Sequence, residues 1–134
     1  SADGGVPVSA IVSSASMHDS QAAIPLMQMS KDRVVSLYDV MDSAYDAPEI
    51  HNFSASLNHV PVIDNNPRRG EKQEFEPAKK IRYNERTTAE RANSELKDNY
   101  NLQDIRVKGH KKVKLHIMFA VIALTAESLF NMLV

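Results

Sequence analysis

"RVVSLYDVMDSAYDAPEI", Arg33 to Ile50, is the stretch that decides the architecture. Val34 to Met41 is short, rich in β-branched and large apolar residues, and apolar at both parities. That is the pattern of a strand buried on both faces of a parallel sheet. Asp42 falls where the strand ends. Asp46 then reads as an N-cap, with Pro48 in the first turn of a helix that continues through Ile50 and Phe53. In open α/β sheets, sites form outside the carboxyl ends of the strands, so an acid at this junction is well placed for chemistry.

The flanking segments fit the same class. "HDSQAAIPLMQMSKD", His18 to Asp32, sets Ala22, Ala23, Leu26 and Met27 at helical spacing behind a cap at Asp19 or Ser20, with Pro25 interrupting the helix. "HVPVIDNNP", His59 to Pro67, is a second short strand, stopped by Asn65-Asn66-Pro67. Near the amino end, Asp3-Gly4-Gly5 reads as a tight hairpin turn and Val6 to Val12 as the strand leaving it. A hairpin turn joins two strands, and only Ser1 and Ala2 precede this one, so the sequence reads as cut from a larger domain just after a strand. "RRGEKQEFEPAKKIR", residues 68–82, holds nine charges among fifteen residues without amphipathic period and reads as a loop or small insertion. The chain thus divides into a strand and helix half, 1–67, a charged link, 68–82, and a helical part, 83–134.

"YNERTTAERANSELK", Tyr83 to Lys97, opens that helical part and is expected to form one helix running to Asn99. At about 100° per residue, Tyr83, Arg86, Glu90 and Lys97 fall within roughly 60° of one another. Ala89, Ala92, Leu96 and Tyr100 make an apolar face about 100° away. The polar stripe lies at the border between core and solvent, where packing can hold a glutamate that still reaches a ligand. Arg86 and Glu90 at i, i+4 also fit an ordinary surface ion pair, which stabilises a helix by a few tenths of a kcal/mol and carries no chemistry.

With 134 residues, 43% hydrophobic and 25% charged, the chain has the composition of one globular domain. It contains no cysteine, which excludes disulfides and thiolate metal sites and is compatible with a reducing cytoplasm. The net charge of −1 hides an asymmetry: residues 1–67 carry −6 and residues 68–134 carry +5. A basic half of this kind suits a polyanionic partner, with surface solubility as the plain alternative.

The amino end has neither a basic leader nor an apolar run, so no secretory signal is read there. "IMFAVIALTA", Ile117 to Ala126, is too short to span a bilayer, which takes about 20 apolar residues, and is expected to be a buried core helix running from about His110 to Leu133. Lys111, Lys112 and Lys114 crowd its amino end, where cations usually cost about 0.3–1 kcal/mol against the helix dipole. Nucleic-acid phosphate or a neighbouring acidic side chain would offset that cost.

An aspartate after a strand, a glutamate on a later helix and a basic back half suggest a carboxylate metal site acting on a polyanion. The sequence here resembles bacterial insertion-sequence transposases of the DDE type, whose glutamate helix carries the pattern Y-(2)-R-(3)-E-(6)-K. Tyr83, Arg86, Glu90 and Lys97 complete that pattern, and "MDSAYD" places Asp42 in the family's D-x-x-Y-D segment. The resemblance covers nearly the whole chain.

The resemblance implies a ribonuclease H-like α/β fold, a mixed sheet flanked by helices, here lacking its first strands, with the final helix packed beside the glutamate helix. It implies phosphodiester cleavage and strand transfer at two Mg2+ or Mn2+ ions, clamped about 3.5–4 Å apart. Asp42 and Glu90 would bind metal, Arg86 and Lys97 would neutralise phosphate or orient the glutamate, and Tyr83 would stack or hydrogen-bond near the cut. The resemblance implies DNA, both transposon ends and target, as the partner, and a separate expectation is that the chain binds DNA nonspecifically through Arg68, Arg69, Lys108, Lys111, Lys112 and Lys114. The family's first aspartate matches no residue here: Asp3 lies in the turn and Asp19 in a cap. An inactive catalytic fragment, located in the bacterial cytoplasm at the nucleoid, is therefore expected, without a membrane role and with self-association through an uncovered sheet edge. A non-enzymatic DNA-binding or scaffold module, or a decayed transposase remnant, is the competing reading.

Overall fold

The computed structural model describes residues 5–14, 16–66 and 74–133. The chain forms two compact units, Ser13–Arg86 and a second made of Ser1–Val12 with Thr87–Val134.

In the unit Ser13–Arg86, helix α1 spans Asp19–Lys31, strand β1 Tyr38–Met41, a short 3-10 helix Ser43–Tyr45, α2 Pro48–Ser56, β2 Val60–Ile63 and α3 Pro77–Asn84. The strands pair in parallel, with Tyr38 opposite Val60 and Met41 opposite Ile63, joined by α2 as the crossover. This is a mixed α/β arrangement, as the Arg33 to Ile50 segment implies. The strand is nevertheless half the expected length. Val34 to Leu37 precede it as irregular chain, and Val35 is 99% exposed, so the segment is not apolar because it is buried. A β-branched run becomes a strand only where a ladder partner and a packed face exist, and β2 offers four paired positions.

The core of this unit lies between the helices and β2. Ala23 and Met27, one turn apart on α1, meet Ile50 of α2 and Ile63 of β2, with Met41, Tyr45, Phe53 and Leu57 packed around them. Helix α1 runs continuously through Pro25, and its N-cap is His18 rather than Asp19 or Ser20. Helix α2 starts with Pro48 at its first position, where a missing N–H costs nothing, but its N-cap is Ala47 and not Asp46. It ends in a Schellman closure: the Asn58 N–H donates to the Ala55 carbonyl and the His59 N–H to the Ser54 carbonyl, with Asn58 at φ 60°.

Two expectations for the charged centre are corrected. Residues 77–82 are helical, in α3, and not a loop; Pro77 starts the helix at a position where its missing N–H costs nothing, and no residue of the helix is buried. The expected single helix from Tyr83 to Asn99 is two, because α3 ends at Asn84, Glu85 is a turn residue, and α4 runs Arg86–Asp98.

In the second unit, α4 is followed by a loop and then α5, His110–Leu133. Gly109 precedes α5 at φ 96°, and its carbonyl accepts from the Val113 N–H. Val6 to Val12, expected as a strand, is irregular; Pro7 removes a donor, and among the described residues no strand pairs with it. The Asp3-Gly4 part of the expected turn lies outside the described residues. Helix α5 begins and ends where the sequence places it, yet it is not a buried core helix. Only Ala120 and Leu124 are buried on it, and Leu115, Phe119, Ile122, Leu129 and Phe130 are exposed. By length and composition it could cross a membrane.

Candidate active site

Asp42 follows the last residue of β1 and caps the 3-10 helix: its Oδ1 accepts from the Ala44 N–H at 2.9 Å. Met41 before it and Tyr45 after it pack against the core, so the half-buried carboxylate is held between two anchored neighbours at the carboxyl edge of the sheet. Parallel pairing of Met41 with Ile63 brings Asp64, the residue after β2, to the same edge.

Two further carboxylates bracket α2. At its amino end Asp46 accepts from the Asn66 N–H at 2.9 Å through Oδ2, while Oδ1 lies 3.0 Å from His51 Nε2. An acid here also faces the positive end of the helix dipole. At its carboxyl end Asp39 Oδ2 accepts from the Ser54 hydroxyl at 2.7 Å and lies 3.1 Å from His59 Nδ1. Ser36 Oγ is 3.5 Å from His59 Nε2. Ser54 is fully buried, and the side chains of His59 and Asp39 are nearly so. The closure after α2 sets His59 directly behind Ser54, which lets both reach one carboxylate. Neither network is foreseen from sequence; the available signals are a carboxylate inside the strand segment and a histidine just before the second strand.

Tyr83 lies in the last turn of α3 and Arg86 at the first position of α4. The guanidinium stands 5.2 Å from the Tyr83 ring centroid, so the break at Glu85 leaves this pair in contact. Phe75 approaches Tyr83 as well, with ring centroids 4.9 Å apart, and Arg82 lies over Tyr38 at 4.7 Å.

In the second unit, Glu90 is exposed on α4 beside a shallow depression that Thr87, Arg91, Ser94 and Asp98 also line. Lys97 is two turns further along, in the last turn of α4, where a cation complements the dipole. Tyr100 follows, and its hydroxyl donates to Glu127 Oε2 of α5 at 2.6 Å. That hydrogen bond, with the negative charge of Glu127 and Glu95, raises the Tyr100 pKa. Lys108, Lys111, Lys112 and Lys114 are exposed, and among the described residues no carboxylate pairs with them. Arg68 and Arg69 lie outside the described residues.

Arg86, Glu90 and Lys97 thus share α4, Tyr83 touches Arg86 from the end of α3, and Asp42 belongs to the unit Ser13–Arg86. Among the described residues no group of three His, Asp or Glu side chains could hold a metal ion.

A family model described as "Transposase DDE domain" matches residues 1–126. No curated protein and no solved structure matches the chain. Because that match takes in nearly all 134 residues, the chain belongs to the transposase DDE-domain family, whose members act on DNA in transposition.

Proposed function

We propose that the chain is part of a transposase catalytic domain of ribonuclease H-like type, contributing two acids, Asp42 and Glu90, to a divalent-ion centre that cleaves and rejoins phosphodiester bonds in the complete site. The observation that carries this reading is the family match over residues 1–126, within which Asp42 stands at the carboxyl edge of a parallel strand pair and Glu90 on an exposed helix face. Mg2+ or Mn2+ in such a centre would stabilise charge on the attacking and leaving oxygens. The chain's own groups do the positioning. Arg86, aligned on Tyr83, and Lys97 are cations of the kind that orient a phosphate, and the exposed lysines 108, 111, 112 and 114 attract the DNA backbone.

A carboxylate pair without the third acid holds ions weakly, so the 134-residue chain by itself should neither bind two ions nor nick DNA. The test is a thermal melt with and without millimolar Mn2+. A shift present in the native chain and lost in both Asp42→Asn and Glu90→Gln supports the reading, and a shift unchanged in both variants refutes it. Robust Mg2+-dependent nicking abolished by Glu90→Gln would instead overturn the claim of inactivity. One second reading is a DNA-binding module without catalysis, using the exposed lysines 108, 111, 112 and 114. That module would still bind DNA through its lysines but show no metal-dependent shift.

A further inference from the structure

The amino end of the strand pair holds three groups whose chemistry the phosphodiester reading does not use. Ser36 lies two residues ahead of β1, Asp39 inside it, and His59 directly ahead of β2. The ladder sets their spacing. The Val60 N–H donates to the Leu37 carbonyl at 2.8 Å, so the residue after the serine is fastened to the residue after the histidine. From the other side, the His59 N–H donates to the Ser54 carbonyl at 3.1 Å in the closure after α2. The imidazole is thereby held between serine and aspartate, with Nδ1 3.1 Å from Asp39 Oδ2 and Nε2 3.5 Å from Ser36 Oγ.

A carboxylate only accepts hydrogen bonds, and Asp39 Oδ2 also takes the Ser54 hydroxyl at 2.7 Å, so the proton of a neutral His59 sits on Nδ1. That leaves Nε2 as a base beside the Ser36 hydroxyl. The 3.5 Å contact is at the limit of hydrogen-bond reach, and catalytic contacts of this kind close up when substrate is bound. A hydroxyl, a base within reach of it and a third group orienting the base are the parts of nucleophile activation, recognised by geometry whatever their positions along the chain. Burial follows the same order. Ser54 is fully buried and the side chains of His59 and Asp39 nearly so, whereas Ser36 is half-buried between exposed Val35 and Leu37. The Leu37 N–H has no acceptor among the described residues, and the residue after a nucleophile is a place from which a backbone donor stabilises an oxyanion. Val35, Leu37 and Val60 give the serine an open apolar rim, which suits a short acyl group.

We propose that Ser36 is an activated nucleophile, with His59 as its base and Asp39 and Ser54 as positioning residues, in a second site that hydrolyses small carboxylic esters with an apolar acyl group. Ser36 Oγ bonds to the ester carbonyl carbon as its proton passes to His59 Nε2; the carbon–oxygen bond to the alcohol then breaks, and the alcohol leaves with that proton. Water next gives a proton to Nε2 and attacks the acyl-serine, the carboxylic acid departs, and the proton returns to Ser36. The site lies at the end of the strand pair opposite Asp42, and its chemistry is independent of metal.

The test uses the whole chain in EDTA, a fluorophosphonate as probe and p-nitrophenyl butyrate as substrate. Mass spectrometry should find the phosphonyl group on Ser36, and ester hydrolysis should begin with a burst of p-nitrophenolate. Ser36→Ala, in irregular chain outside the strand, should lose both with its far-UV circular dichroism unchanged. His59→Gln should slow labelling roughly 100-fold or more, the usual contribution of a general base. A native chain that resists the probe, a label on any other residue, ester hydrolysis undiminished in Ser36→Ala, or labelling at the native rate in His59→Gln would each overturn the proposal.

Discussion

Replacing Asp42 separates two jobs that one carboxylate is argued to hold. Its Oδ1 accepts the Ala44 N–H at 2.9 Å, and its charge is proposed for a metal centre. The substitution Asp42→Asn keeps a carbonyl oxygen in the capping position and loses the charge; Asp42→Ala loses both. Asn and Asp are near-equal caps, so Asp42→Asn should change stability in EDTA by only a few tenths of a kcal/mol. Asp42→Ala should cost about 1 kcal/mol, the usual value for a lost cap, because the turn it closes is anchored by Met41 and Tyr45 in the core. For a chain of this length, that is a fall in midpoint of about 3–4 °C. Urea denaturation followed by tyrosine emission suits the measurement, since Tyr38, Tyr45 and Tyr83 all lie in the unit Ser13–Arg86 and the chain has no tryptophan.

Adding the metal completes the comparison. If the native chain binds Mn2+ with a dissociation constant near 1 mM, 10 mM ion should add about 1.4 kcal/mol of stability. Both variants should lose that increment equally, although only Asp42→Ala also loses the cap. Equal destabilisation by Asp42→Asn and Asp42→Ala in EDTA would refute the reasoning about the cap. It would mean that the charge itself, and not the hydrogen bond to Ala44, holds the turn at the sheet edge.

Other outcomes test the remaining parts. The Tyr100 pKa is raised by its hydrogen bond to Glu127, so the neutral phenol is the form the fold prefers, and the stability it contributes is present below its ordinary pKa near 10 and lost as pH rises through the higher folded value. Alkaline absorbance titration should therefore show a late component that disappears in Tyr100→Phe and moves to lower pH in Glu127→Gln. Ser54→Ala removes a buried donor from the Asp39 carboxylate and should cost about 2 kcal/mol by urea denaturation, the scale for a hydrogen bond to a charged group. Asn58→Gly should be neutral or stabilising and Asn58→Ala destabilising by about 1 kcal/mol, since residue 58 is held at φ 60°. Replacing Lys111, Lys112 and Lys114 together with Gln should reduce the slope of log K for DNA against log salt by about 2–3, at roughly 0.9 per phosphate contact. A fluorescence anisotropy titration whose slope is unchanged would take these lysines out of the DNA interface.

What the residues disclose is local, and what they conceal depends on partners far along the chain. Asp42 at the end of a strand, Pro48 opening a helix and the bounds of α5 follow from signals a few residues wide: a turn residue, a fixed φ, a long apolar run. Val34 to Leu37 show the limit of such signals. Four residues with strand-like side chains stay irregular because the second strand offers only four paired positions, a fact written at Val60 to Ile63 and not beside them. The glutamate stripe is shortened in a similar way, since Arg86, Glu90 and Lys97 share α4 and only Tyr83 falls on α3. Its angular spacing assumes an unbroken helix from Tyr83 to Lys97, and one turn residue at Glu85 interrupts it, yet Tyr83 and Arg86 remain in contact because that pair spans only three residues. The polar core is hidden for the opposite reason, since Asp39, Ser54 and His59 each look like surface residues singly and become a network only when the closure after α2 turns the chain back. The apolar run of α5 reads as core because hydrophobicity alone does not say whether a face is covered, and on this helix only Ala120 and Leu124 are buried.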